Sequence, residues 1–295
     1  MAIVRSALVL IAAIAIAAPQ AGSVRTVYVT AATTDGTPLP ALNAADVIVR
    51  EGDRAHQVVR VEPSRGTLRV AIVVEEILTP DNDVRRSVAN FIDQIRETGQ
   101  LALFTVGRRT EKRVNYTSDI LSFANAINKF PARAVDPGDL VQALHEIARD
   151  QRALEGRHVI VAVATQMAQT SSMTAEGVLE QLTGGRTVLY AATLTGSATS
   201  TSPPGATSGG RRLDLEGQVS GLERDRLFSG AIRESGGLHI SSTRTAGLWT
   251  ALERIAAELQ QQYVVSYDGA LTSDGTVTIA AARSGIVLRG PTRVR

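Results

Sequence analysis

The sequence predicts an α/β protein, a doubly wound and mostly parallel sheet joined by a small β-sandwich built from both ends of the chain. Three observations carry this. From Leu68 to Leu259 apolar strand-like runs alternate with helical patterns, the arrangement that builds a parallel sheet covered by helices. The run from Arg69 to Val74 ends abruptly in Glu75 and Glu76, with an acid-rich helix start behind it. Short β-branched pieces separated by Gly and Asp turns occupy the two ends.

Taken in order, the first residues lie outside the core. Arg5 precedes an uncharged apolar run from Ala7 to Ala18, and Ala15-Ile16-Ala17 offers a small-x-small cleavage site. Residues 1–21 therefore read as a secretory signal peptide. The run is shorter than the roughly 20 residues of a membrane-spanning helix, so the expectation is a secreted or periplasmic protein with no stable membrane insertion after cleavage. Residues 22–64 follow as N-terminal sandwich strands: Val27 to Thr30, a turn at Asp35-Gly36, Val47 to Arg50, a turn at Glu51-Gly52-Asp53, and Gln57 to Val61. Gly and Asp between β-branched runs mark hairpins.

Residues 65–262 form the α/β unit. Its strands are expected at Leu68 to Val74, Leu101 to Val106, Arg113 to Tyr116, His158 to Ala164 and Thr187 to Thr193. The run Val159 to Ala164 is apolar on both faces, as a central parallel strand must be. Val84, Val88, Phe91, Ile92 and Ile95 recur at helical spacing behind caps at Asp81 to Asp83. Asp136-Pro137 opens a second helix with Leu140, Val141, Leu144 and Ile147 on one face. Leu248, Trp249, Leu252, Ile255 and Leu259 mark the last, with Trp249 assigned to the core stripe. The segment 195–210 is rich in Ser, Thr, Gly and Pro and lacks the apolar content to pack, so it is expected to be a flexible loop. Residues 263–295 return to β character at Tyr263 to Tyr267, Thr276 to Ile279 and Ile286 to Leu288. Neither end has enough strands to cover its own edges, so the two are expected to complete one sandwich.

Composition narrows the function. The 295 residues contain no cysteine, which removes thiolate nucleophiles, disulfides and cysteine-ligated zinc. With 31 basic and 29 acidic residues the net charge is +2, and short pairs such as Arg85-Arg86, Arg108-Arg109 and Arg211-Arg212 form no nucleic-acid footprint. His56, His145, His158 and His239 show no metal-ligand spacing, no G-x-S-x-G elbow occurs, and Gly184-Gly185 precedes a strand, the wrong order for a phosphate cradle. Glu75 and Glu76 are adjacent on a strand and point apart, which argues against a glycosidase-like pair.

Three pieces of the chain together carry a family resemblance. Asp35-Gly36, Leu42, Asp46 to Val49 and Glu51-Gly52 resemble a "D-x-G … L … D-F-x-V-x-E-D-G" hairpin pattern, with Val47 in place of Phe. The acidic end of the first α/β strand and the Gly138-Asp139 turn match in position. Glu258 to Tyr263, Tyr267 and Asp274-Gly275 resemble an "E-L-x-x-x-Y-x-x-x-Y … D-G" tail. The chain thus resembles the acidobacterial type of von Willebrand factor A-related protein.

That resemblance implies a metal-ion-dependent adhesion site built from D-x-S-x-S, a Thr and an Asp. Here those positions hold Glu75, Ile77, Thr79, Asp139 and Gln166. Ile77 offers no oxygen and Glu75 adds a methylene to a site of tight geometry, so the site is expected to be degenerate. The expected function is non-enzymatic recognition of an unidentified protein by a face formed from Glu75, Glu76, Thr79, Gly138, Asp139 and Gln166, without catalytic residues or an obligatory cofactor. A weak Mg²⁺ or Ca²⁺ site on Glu75, Thr79 and Asp139, which would make a metal-dependent adhesin, is one alternative. An extracytoplasmic hydrolase is another.

Overall fold

The computed structural model describes residues 23–133, 138–167, 171–195, 222–269 and 275–294. The expected signal peptide, the Asp136-Pro137 helix start and nearly all of loop 195–210 lie outside these residues. The N-terminal strands are β1 (Ser23–Thr33), β2 (Val47–Glu51), β3 (Arg54–His56) and β4 (Val58–Pro63). The α/β unit contributes β5 (Leu68–Glu75), β6 (Gly99–Val106), β7 (Thr110–Thr117), β8 (Arg157–Thr165), β9 (Thr187–Leu194) and β10 (His239–Ser242). The C-terminal end adds β11 (Gln262–Gly269), β12 (Val277–Ala281) and β13 (Ile286–Arg289).

The central sheet runs β10-β9-β8-β5-β6-β7, parallel except for the antiparallel edge β7. Alternation along each strand divides the core. Val70, Ile72 and Val74 of β5 face one apolar cluster with helix α1 (Asn82–Ile95), α2 (Ile120–Asn128) and the last helix, Ala246–Gln260. Ala71 and Val73 face the other, with α3 (Leu140–Gln151), α4 (Ala175–Gly185) and the helical segment 222–234. Every residue of β8 is buried, which explains its uninterrupted apolar run. The doubly wound expectation holds.

Local signals set the helix starts. Asp81 caps α1 by accepting from Asp83 N at 2.7 Å, and Asp139 caps α3 by accepting from Gln142 N at 2.9 Å. One expectation fails: Trp249 is 39% exposed. The helical stripe is carried by Leu248, Ala251, Leu252, Ile255 and Leu259, and Trp249 sits one step round the helix from it. The four-residue edge strand β10, His239-Ile-Ser-Ser, is an addition to the expected strands, too short and too polar to show a strand period.

The two chain ends share a sandwich, as expected. One sheet runs β13-β1-β11-β4 and the other β12-β2-β3, so each mixes strands from both termini. Their facing sides bury Val27, Val29, Val49, Val265, Tyr267 and Val277. A polar seam ties this sandwich to the lower end of the parallel sheet. Arg157 donates to Ser64 Oγ at 2.7 Å and to Leu259 O at 3.2 Å. Gln262 Nε2 donates to Tyr190 Oη at 2.8 Å and to Thr30 Oγ1 at 3.1 Å, and Arg289 pairs with the fully buried Glu258. Among the described residues no helix is long and apolar enough to cross a membrane.

Candidate functional site

Strands β5 and β8 are neighbours at the centre of the sheet, but the chain leaves them in opposite directions, β5 toward β6 and β8 toward β9. Such a topological switch point opens a crevice at the carboxyl ends of the strands. Glu75 ends β5 and Thr165 ends β8, so the fold itself delivers both to the crevice.

The crevice is filled by an internal ion pair. Glu75 Oε2 accepts from Thr165 N at 2.6 Å and from Thr165 Oγ1 at 3.0 Å. Glu75 Oε1 accepts from Arg224 Nη2 at 2.8 Å, with side chains only 2% (Arg224) and 1% (Glu75) exposed. Arg224 Nε and Nη2 also donate to Thr165 O, at 3.1 and 2.5 Å. The guanidinium lies 5.4 Å from the centre of the Phe228 ring, one helical turn on. Neighbouring Glu223 accepts from Ala175 N at 2.8 Å, which pins segment 222–234 to the first turn of α4. A π-helical turn, Leu227–Ala231, lies within that segment.

Glu76 faces the opposite way, as adjacent residues leaving a strand should. Its Oε1 accepts from Thr105 Oγ1 and from Arg113 Nη2, both at 2.8 Å. Gly107 makes room for it, since a Cβ there would come within 2.2 Å of Glu76 Oε2. Thr79 is fully buried and donates to Glu76 O at 2.8 Å. Gly138 is buried against Gly107, where a Cβ would sit 1.9 Å from the Gly107 carbonyl oxygen. Asp139, half-buried, caps α3 and accepts from Ser172 N at 3.2 Å. Gln166, also half-buried, donates through Nε2 to Thr193 Oγ1 at 3.2 Å. Thr193 Oγ1 lies 2.8 Å from Nε2 of His239, whose ring stacks on Phe228 at 5.0 Å. Burial holds the His239 pKa below the ordinary value.

The expected contact face therefore needs correction. Glu75, Glu76, Thr79 and Gly138 are brought together round the strand ends but are buried, and each carboxylate is matched internally by an arginine. Only Asp139 and Gln166 keep partial exposure. Exposed side chains nearby in the chain include Arg108, Arg109, Met167, Leu222, Asp225 and Arg226, with Met167 and Leu222 40% and 52% exposed. Nothing local in the sequence marks Arg224 or Arg113 as the residues that organise the site, although Arg113 opens an expected strand. Arg224 lies 149 residues from Glu75. The one signal the sequence offers is indirect: a carboxylate at the end of a buried strand needs a positive charge from elsewhere in the chain.

The residues present do not fit a divalent cation. Hard cations need several free oxygens within about 2.6 Å, whereas both oxygens of Glu75 are engaged, the Thr79 hydroxyl points at a backbone carbonyl, Ile77 packs on the core, and Asp139 is committed to its cap. Among the described residues no three His, Asp or Glu side chains converge as a metal centre.

No protein-family model matches the chain, and no curated protein matches it. Among solved structures it is similar to an aerotolerance-related membrane protein of Bacteroides fragilis, at 12% identity and TM-score 0.42, covering 65% of this chain and 98% of that one. It is similar to the SpRpn10 VWA domain at 12% identity and TM-score 0.39, covering 70% and 100%. A third is the conserved hypothetical protein BatB of Bacteroides thetaiotaomicron, at 12% identity and TM-score 0.43, covering 66% and 100%. At this identity and overlap nothing about function is transferred from them, and the mostly parallel sheet between two helical layers is the α/β architecture expected from the sequence.

Proposed function

We propose that this protein is an exported, non-enzymatic recognition module of the von Willebrand A-related type, in which a side chain of its own replaces the adhesion-site cation. The observation that carries the reading is the Arg224–Glu75 pair at 2.8 Å in the switch-point crevice. A guanidinium that donates to the terminal carboxylate of one strand and the terminal carbonyl of the next supplies the positive charge a cation would supply there. Docking on the upper face is then independent of divalent metal, and its contacts come from the exposed Arg109, Met167 and Leu222 with partly exposed Asp139 and Gln166. The carboxylates of Glu75 and Glu76 are occupied internally, so apolar contact at Met167 and Leu222 takes the larger part.

The test is affinity capture from the native envelope fraction with the immobilised protein, in EDTA and in Mg²⁺ or Ca²⁺. A partner retained in EDTA and lost on Met167→Asp with Leu222→Asp supports the reading. Capture that EDTA abolishes and Mg²⁺ or Ca²⁺ restores replaces it with a metal-dependent adhesin, and turnover in a broad hydrolase screen replaces it with an enzyme.

A further inference from the structure

At the opposite end of the sheet, a cleft of about 600 Å³ separates the β-sandwich from the α/β unit, within the size range of small-molecule sites. Its walls come from β1, from the connections leading into β8 and β9, and from the chain end around Arg293. Arg25, Arg152, Arg186 and Arg293 line it against the single acid Glu234. Two of these charges are already matched: Arg25 pairs with the buried Glu51 at 2.8 Å, and Arg293 with Glu176 at 2.8 Å and Glu234 at 3.7 Å. Among the described residues Arg152 and Arg186 have no acidic partner, and Arg152 Nη1 donates instead to the neutral Gln181 Oε1 at 2.9 Å.

The backbone is shaped to hold these two arginines. Arg152 lies across Gly184 and Gly185, where added Cβ atoms would come within 2.8 Å of its Cζ and Cγ. Arg186 follows at φ 50°, the one non-glycine residue in the left-handed region among those described. That helix-end position favours glycine, and an L side chain there costs on the order of 1 kcal/mol, so an arginine is held where folding alone favours glycine. Beside them, His158 is 4% exposed and its Nδ1 lies 3.3 Å from Gly185 O. Its Nε2 has no hydrogen-bond partner. That nitrogen is shut off from solvent, so the polar contacts of the cleft are left to the arginines.

We propose that this cleft binds a small organic anion, a carboxylate or phosphate ester, with Arg152 and Arg186 taking the anion. This site is independent of recognition on the upper face. The probes are gluconate and glucose 6-phosphate, with glucose, inorganic phosphate and chloride at matched ionic strength, measured by titration calorimetry and thermal melting on the full chain. Saturable binding of gluconate or glucose 6-phosphate, with none for glucose or chloride, is expected, and whichever of the two binds more tightly identifies the anion class. Arg186→Gly should weaken that binding about tenfold or more without lowering the melting temperature of the free protein, because glycine suits its backbone. Arg152→Gln should weaken it similarly. No saturable binding of either organic anion, or unchanged affinity in Arg186→Gly, overturns the proposal. Affinity for inorganic phosphate equal to that for glucose 6-phosphate overturns the choice of an organic anion over a free ion.

Discussion

Replacing Arg224 by Met should destabilise the fold far more than removal of any surface arginine, because it strands a carboxylate in the interior. Glu75 and Arg224 are 1% and 2% exposed, so water cannot take over the lost partner. Breaking a buried pair from one side costs about 3–5 kcal/mol. Glu75 would keep its two Thr165 donors, which places the expected loss near the lower end, about 3 kcal/mol. Arg226→Met provides the contrast: its pair with Glu223 has an arginine 68% exposed, and the cost should stay below about 1 kcal/mol. Adding Glu75→Gln to Arg224→Met removes the stranded charge and should recover part of the loss, giving a coupling energy of about 2 kcal/mol. Urea denaturation of the four corners of this cycle measures it, and moderate salt should change the coupling little because the pair is shielded from solvent. An Arg224→Met loss within about 0.5 kcal/mol, the usual range for surface changes, or a strictly additive cycle, would refute the reasoning.

Deleting residues 263–295 should expose β1 and β2 as well, since β11 and β13 flank β1 and β12 pairs with β2. Hydrogen exchange should show lost protection from Val27 to Val49, and unchanged protection would contradict the shared sandwich. Acid should also weaken the fold. Burial holds His158 and His239 below the ordinary histidine pKa of 6.5, so below that pH the unfolded chain binds more protons than the native one, and stability present above it is lost as pH falls. Urea midpoints from pH 8 to 5, on the usual span of histidine titration, should decline, with a shallower slope in His239→Gln; a parallel slope would remove His239 from the account.

Much of the architecture is legible in the sequence because burial on both faces writes itself locally. The strand from Leu68 to Glu75 and the all-buried β8 stand out as apolar runs, and Asp81 before α1 is a cap whose partner lies two residues away. What escapes has a physical cause. Strand β10 is a short edge whose residues are only partly buried, so no alternation betrays it, and α4 carries Gly177, Gly184 and Gly185, which weaken helix propensity. Trp249 was misplaced because one residue of rotation on a helix separates core from solvent. The candidate site was half legible. Topology and the acidic strand end located Glu75 and Glu76, but their burial depends on Arg224 and Arg113, paired across 149 and 37 residues, and charge pairing over such separations leaves no pattern in sequence spacing.

The central claim, that Arg224 stands where a cation would, is tested most directly by crystallography of the wild-type protein soaked in Mn²⁺, with data collected at the manganese absorption edge. The account predicts no anomalous peak beside Glu75, and Arg224 Nη2 still at hydrogen-bond distance from Glu75 Oε1. A manganese ion bound to Glu75, with the Arg224 side chain displaced from the crevice, would contradict it.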